Sequence, residues 1–248
     1  MYNFSLMYHD IQASIHSVFP TFYDMEVASI PDCNVLNHNF YQINLNAKKL
    51  RFFQQDAFLQ FSEMGYEERI FYEGIIATRK HNWHDFFNAM VWRHFPKIKC
   101  AINAVHIQEI KKQKNTQRSR KRDLLTLFDE CGVIILAKKH HLEMIRQHHW
   151  HDLFVENKEF WLSRDIEIIT FGHAMFEKYL NPYIGMTAQA LLLEKTDKNI
   201  DELISKAILN QKILLSKADL APLPVLGIPD WCVNQNKEFY ANKNYFRS

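Results

Sequence analysis

The stretch from Arg79 to Gly132 constrains the fold more than any other part of this chain. It contains two segments in which apolar residues recur at helical spacing, and Phe95-Pro96 separates them. A proline interrupts the helix before it but suits the first turn of a helix that follows. The sequence therefore predicts one helix that begins after Asn82 and stops before Pro96, and a second helix that runs to about Ile110.

Polar side chains near the start of the first predicted helix could take part in chemistry. His84 and Asn88 are four residues apart and Asp85 and Asn88 are three apart, so the three side chains share one side of the helix. The positive end of the helix dipole favours an uncharged histidine, which makes His84 a candidate base or metal ligand. The alternative is structural: Asp85 caps the helix, and His84 only bonds a backbone carbonyl.

The second predicted helix carries another polar stripe on an otherwise apolar segment. Lys99, Asn103 and His106 are spaced at i, i+4 and i+7, so they lie on one face. Burial of such groups without partners would cost roughly 1–3 kcal/mol each. The stripe is therefore either a functional set or the exposed face of an ordinary amphipathic helix.

A basic run at residues 111–122 holds seven Lys or Arg and no apolar residue, which predicts a solvated loop or a frayed helix end. Leu124, Leu127 and Phe128 then give the apolar face of a third short helix. Gly132 suits the C′ position that ends this helix.

The third predicted helix combines carboxylates with a basic residue. One polar stripe contains Asp123, Thr126 and Glu130, and an overlapping stripe contains Arg122, Thr126 and Asp129. The helix dipole disfavours two acids at a helix C-terminus. Asp129 and Glu130 should therefore meet a metal cation or an arginine there, unless this end is simply solvated.

Two further places contain candidate histidines. His173 follows Gly172 directly after a predicted strand, where ligands often meet backbone N–H groups, and Glu177 lies four residues on. Residues 148–152 read His-His-Trp-His-Asp, but adjacent residues on a helix point apart. Only His148 and Asp152 could share a ligand there, so a surface role is favoured.

The remaining elements predict an α+β fold that is predominantly helical, with a small sheet and an extended C-terminal strap. No linker divides the chain, so we expect a single domain spanning residues 1–248. The predicted buried strands are Val133–Leu136 and Ile166–Phe171. Further predictions are a strand at Leu50–Phe53, an extended segment Tyr66–Thr78 with a bulge or close approach at Gly74, helices at Asp10–Val18, His173–Leu180 and Ile200–Leu215, and the strap Pro222–Ser248.

Composition limits the partners and the compartment. A formal net charge of +2 is too small for a general polyanion-binding protein, so any basic patch must be local. The four cysteines are widely spaced and contain no C-x-x-C pair, which argues against a zinc ribbon. The sequence shows no signal-peptide pattern and no apolar run near the roughly 18 residues that cross a bilayer. We therefore expect a cytoplasmic protein without a membrane partner, and its oligomeric state is left open.

Many of these residues belong to one larger pattern: Tyr66-Glu67, Arg69, Arg79, Asn82–Asp85, Asn88, Trp92, Phe95-Pro96, Lys99, Asn103, His106, Arg122-Asp123, Thr126, Phe128–Glu130, Gly132, Phe171–Ala174, Pro222–Pro229 and Phe246-Arg247. Over most of the chain, this pattern resembles a bacterial family known only as domain of unknown function 3025. The family has no assigned activity, so the resemblance implies site positions and no chemistry. The basic run and the cluster at residues 148–152 are peculiar to this chain, and Asp230 stands where the family pattern prefers Gly.

The polar residues favour a metal-assisted hydrolase that acts on a phosphate ester or a similar small anionic substrate. Imidazole and carboxylate groups are the ligands of Zn, Mn or Mg sites, and a metal of this kind can activate water. The candidate catalytic residues are His84, Asp85, His106 and Glu130. The candidate metal ligands are His84, Asp129 and His173, and the candidate substrate-binding residues are Arg79, Asn88, Lys99, Asn103 and Arg122.

Two other functions stay open. The basic run, with Arg79, could bind nucleic acid or another polyanion, although it lacks interleaved aromatic residues for base stacking. Alternatively, the polar groups could form a buried structural network that fixes the fold without any ligand. Convergence of the histidines and acids on one site would favour the enzyme.

Overall fold

A computed structural model of the chain describes residues 30–55, 63–113, 117–232 and 234–247. Helices dominate these residues and alternate with short strands, so the predicted α+β class is confirmed. The helix predicted at Asp10–Val18 lies outside the described residues.

The helices and strands are numbered in chain order. The elements are α1 Cys33–Asn37, β1 Arg51–Gln54, α2 Tyr66–Glu73, β2 Ile75–Thr78, α3 Trp83–His94, α4 Pro96–Lys112, α5 Arg120–Cys131, β3 Gly132–Ala137, α6 Lys139–Arg146, α7 Glu159–Leu162, β4 Glu167–Thr170, α8 His173–Tyr179, β5 Thr187–Glu194, α9 Ile200–Leu209, β6 Leu220–Pro224 and α10 Lys237–Tyr240.

The described residues group into two compact units. We call them the helical unit, drawn from residues 25–126 and 198–216, and the sheet unit, drawn from residues 127–197 and 217–248. The helical unit also contains the small parallel sheet of β1 and β2, whereas the sheet unit contains a four-stranded sheet. The single domain expected from the sequence stays a prediction.

The boundary predicted between the two helices on either side of Pro96 is confirmed. The Asn82 side chain accepts a hydrogen bond from the backbone N–H of Asp85 at 3.0 Å and so caps α3. Pro96 is the first residue of α4, as its fixed backbone angle favours. Residues 98–107 of α4 are all buried, and α9 packs against this helix. This burial overturns the exposed-face alternative for the polar stripe of α4.

The extended segment predicted at Tyr66–Thr78 is wrong in its first part. Tyr66–Glu73 forms α2, because Glu67 and Glu68 lie in its first turn, where acids are favoured. Gly74 ends the helix with φ 75°, and the strand β2 follows. The predicted close approach at Gly74 is confirmed, since a Cβ there would lie 2.3 Å from the Lys49 backbone oxygen.

The sheet of the sheet unit has the strand order β4-β3-β5-β6. Every residue of β3 is buried, as predicted, and β3 runs parallel to β5 and antiparallel to β4. The strand β4 lies at an edge and is mostly half-buried, so the fully buried strand predicted at Ile166–Phe171 needs correction. The strands β5 and β6 were not predicted.

Other boundaries also differ from the predictions. Gly132 begins β3 and does not end a left-handed C′ turn; it is required there because a Cβ would lie 2.3 Å from the Phe128 backbone oxygen. The helix α9 ends at Leu209, because Gln211 and Leu214 adopt positive φ angles that interrupt the predicted helix.

The C-terminal strap lies on the sheet unit. It begins with β6 and ends with contacts from Tyr245 and Arg247. The Tyr245 hydroxyl accepts from the Leu226 N–H at 3.0 Å and donates to the Met186 carbonyl at 2.7 Å. The indole of Trp150 donates to the Arg247 carbonyl at 2.8 Å. Among the helices of the described residues, none is long and apolar enough to span a membrane.

Candidate metal centre

The position of His173 follows from a close backbone contact in the sheet unit. Gly172 precedes α8, and its N–H donates to the Gly132 carbonyl at 2.7 Å. A Cβ on Gly172 would lie 2.4 Å from the Gly132 nitrogen, so only glycine fits. Because Gly132 directly follows the last turn of α5, this contact brings His173 beside the acids of that turn.

His173 lies between the two neighbouring acids of α5. Its Nε2 is 3.5 Å from Glu130 Oε2, and its Nδ1 is 3.9 Å from Asp129 Oδ2. The whole residue His173 is only 4% exposed, whereas the Glu130 side chain is 36% exposed and remains open to solvent. The acids at this helix C-terminus thus have an imidazole as a neighbour.

The spacing between His173 and Glu130 suits a shared metal ion. Two ligand atoms bound tetrahedrally at about 2.1 Å are about 3.4 Å apart, and the observed separation is 3.5 Å. The His173 imidazole and the Glu130 carboxylate, both in the sheet unit, each offer one ligand atom to such an ion. Imidazole and carboxylate groups are ligands that divalent transition metals accept, so His173 and Glu130 could hold a metal ion.

A comparison with known protein families finds one family that matches most of the chain. The pattern of the family described as "Protein of unknown function (DUF3025)" matches residues 50–248. The chain belongs to the DUF3025 family. The match includes His84, Glu130 and His173, and the family description names no activity. No curated protein and no solved structure matches the chain.

The metal-ligand group of this DUF3025 protein differs in part from the predicted ligand set. His173 belongs to both, but the acid at ligand spacing from its Nε2 is Glu130, where the sequence pointed to Asp129. The sequence analysis had placed Glu130 among the candidate catalytic residues. Adjacent helix residues gave no signal that could decide which of the two acids faces Nε2, because that depends on the contact between Gly132 and Gly172.

Arg79 and Asp85 are bound to each other in the helical unit. The Asp85 carboxylate accepts from the Arg79 backbone N–H at 2.6 Å, from Nε at 3.0 Å and from Nη2 at 2.8 Å. Asp85 is buried, and this bidentate pairing compensates the loss of its hydration. The pair fixes the start of α3, and the substrate and catalytic roles assigned to the two residues stay predictions.

Lys99 and Asn88 form a second buried pair in the DUF3025 chain. Lys99 is 4% exposed, and its ammonium donates to Asn88 Oδ1 at 2.9 Å. Asn88 in turn donates to the Tyr66 hydroxyl at 2.8 Å. The ammonium also lies 5.2 Å from the ring centroid of Trp92, where a cation is favoured. Lys99 is therefore a buried lysine whose ammonium is positioned by Asn88 and the Trp92 ring.

The other predicted residues occupy separate places. Asn103 donates to the backbone oxygen of Glu67 at 2.9 Å and to its carboxylate at 2.7 Å, a partner that the sequence analysis missed. His106 is buried in α4, and the metal-ligand group does not include it. The Arg122 guanidinium donates to Gln113 Oε1 at 3.1 Å. The catalytic and substrate-binding roles of these residues stay predictions.

The histidine cluster at residues 148–152 lies mainly on the surface. His148 adopts φ 58° in a turn between α6 and a π-helical segment, so no regular helix aligns it with Asp152. Asp152 instead lies 3.5 Å from His149, and both side chains are about half exposed. The surface role favoured for this cluster agrees with that geometry.

Proposed function

We propose that this protein is a metal-assisted hydrolase that acts on a phosphate ester or a similar small anion. His173 and Glu130 would hold a divalent ion such as Zn²⁺ or Mn²⁺. The observation that carries this proposal is the imidazole–carboxylate pair of His173 and Glu130 at the spacing of shared metal ligands. Such an ion supplies Lewis-acid activation of water and of the ester.

His173 and Glu130 have distinct parts in the proposal. His173 offers its Nε2 from a buried position, while the partly exposed Glu130 leaves the site open to substrate.

Metal analysis combined with an activity screen tests this proposal. We expect the purified protein to retain a divalent ion after dialysis and to hydrolyse chromogenic phosphate esters, with loss of both on chelation. His173→Ala should lower the bound metal at least tenfold. His151→Ala, a change at an exposed histidine of the same unit, should leave it unchanged. Wild-type protein that binds no divalent ion would exclude the proposal.

A local cavity supports a second candidate, the binding of a nucleic acid or another polyanion. A cavity of about 400 Å³ lies at the start of α5, and Lys112, Arg118 and Arg120 line it. Glu109 also lines it, but its carboxylate is paired with Lys112 at 3.0 Å and with Ser119 at 2.9 Å. The remaining positive charge would attract phosphate groups.

Salt-dependent binding separates this candidate from the hydrolase. If the cavity binds polyanions, single-stranded RNA or DNA should bind more weakly as salt rises, and Arg118→Gln with Arg120→Gln should reduce binding at least threefold. The matched control is Lys138→Gln with Lys139→Gln, two exposed cations elsewhere in the chain. Equal loss in both double variants would show general charge attraction and would count against the cavity.

We also propose that the protein works in the reducing cytoplasm. All four cysteines are free thiols, and burial raises the pKa of Cys100 to about 12, which keeps that thiol protonated and unreactive.

A further inference from the structure

We propose that Asp129 is a positioning residue of the metal centre, which holds the His173 ring so that Nε2 is presented to the metal. This inference rests on the proposed function, because it assumes that His173 and Glu130 share an ion. It assigns different tasks to two neighbouring acids that look equivalent in the sequence.

The assignment begins with the two ring nitrogens of His173. Nδ1 and Nε2 are on different sides of the imidazole, and each lies within 4 Å of a different carboxylate. Nε2 is 3.5 Å from Glu130, the spacing of shared ligands, whereas Nδ1 is 3.9 Å from Asp129. A neutral imidazole carries its proton on one nitrogen only, so binding of a metal at Nε2 places the proton on Nδ1.

A carboxylate beside that N–H fixes the tautomer and the ring orientation of a metal-bound histidine. The separation of 3.9 Å is longer than a hydrogen bond, but bonds of this kind are often long in unliganded sites and shorten when the site is loaded. Asp129 is also less exposed than Glu130, at 19% against 36% of the side chain. The less solvated acid is thus the better orienting group, and the more exposed one is the better ligand.

The backbone around both partners is firmly held. Phe128 precedes Asp129 and stacks on Phe171, with ring centroids 4.9 Å apart and planes at 17°. Phe171 lies two residues before His173, and the Gly172 N–H bonds the Gly132 carbonyl at 2.7 Å. The carboxylate and the imidazole are therefore carried by chain segments that pack directly on each other.

The location of Asp129 gives an independent argument. The helix dipole disfavours an acid in the last turn of a helix. A residue that only stabilised α5 would therefore be better replaced by a neutral amide. Asp129→Asn keeps the size of the side chain and removes its charge, and it should weaken the metal site.

The experiment uses full-length protein freed of metal by chelation and titrated with Zn²⁺ and with Mn²⁺. We expect Asp129→Asn to raise the Kd about 10–100-fold, and Glu130→Gln to raise it further because a ligand is lost. Asp152→Asn is the matched control, since Asp152 also lies beside a histidine but on the surface. It should keep the wild-type Kd.

A second readout separates positioning from simple support of the fold. In metal-loaded protein, NMR should detect the Nδ1 proton of His173 in the wild type and a shift or loss of that signal in Asp129→Asn. Equal Kd values and equal spectra for wild type and Asp129→Asn would overturn this inference alone. Wild-type protein that binds neither ion would overturn the proposed function as well.

Discussion

A single buried histidine should make the stability of this protein depend on pH. His141 is 2% exposed, and neither ring nitrogen has a hydrogen-bond partner within the part of the chain that the structure describes. Its ring packs against His140 and Phe160, at 3.8 and 4.2 Å between centroids. Burial lowers the pKa of His141 below its usual 6.5, as do His140 and Lys138, while Asp165 opposes the shift.

The direction of the effect follows from proton linkage. Near the usual pKa the unfolded chain binds more protons at this position than the folded chain, so the free energy of unfolding falls as the pH falls. His141→Leu should remove part of this slope between about pH 8 and pH 5, and urea unfolding at several pH values measures it. His151→Gln, at an exposed position, is the control and should keep the wild-type slope. An unchanged slope in His141→Leu would contradict the prediction.

At the scale of elements, one helix supplies the cap of another. The start of α4 has no side-chain cap of its own at Phe95. Asp201, in the first turn of α9, accepts from the backbone N–H groups of Lys97 at 3.0 Å and Ile98 at 2.8 Å. Burial raises the pKa of Asp201, and these two bonds oppose that shift. The carboxylate thus joins two helices that are about 100 residues apart in the chain.

Loss of this carboxylate should destabilise the helical unit. Asp201→Ala leaves two N–H groups of α4 without their acceptor, so we expect the free energy of unfolding to fall by about 0.5–2 kcal/mol. Chemical denaturation measures this change. Asp197→Ala, at an exposed residue just before α9, should alter stability by less than about 0.5 kcal/mol. A similar loss in both variants would show that local charge, and not the cap, is responsible.

Local signals predicted the elements that depend on neighbours in sequence. The cap at Asn82 and the helix start at Pro96 are set within a few residues, and the sequence analysis placed both correctly. The strand β5 was missed because its Ala and Leu residues equally suit a helix, and only pairing with β3 and β6 selects the strand. The sequence analysis could not predict the cap from Asp201 either, because no residue near Pro96 indicates that a distant helix supplies it.

At the scale of the whole molecule, the sequence predicted the mixed fold and the residue types of the candidate site. It identified His84, His173 and the acids of α5 as relevant, because imidazoles and carboxylates stood out against apolar segments. It could not decide between Asp129 and Glu130 as the ligand. That distinction depends on the approach of two glycines, Gly132 and Gly172, which are 40 residues apart.

The prolines of β6 have a consequence for the behaviour of the protein in concentrated solution. Pro222 and Pro224 are two residues apart on the outermost strand, so both imide nitrogens point to the same side. A proline nitrogen has no proton to offer an incoming chain, and such residues are tolerated at the margin of a sheet. This edge strand therefore lacks N–H donors at two positions where another chain could pair with it. The loss should protect the protein from edge-to-edge aggregation into fibrils along β6.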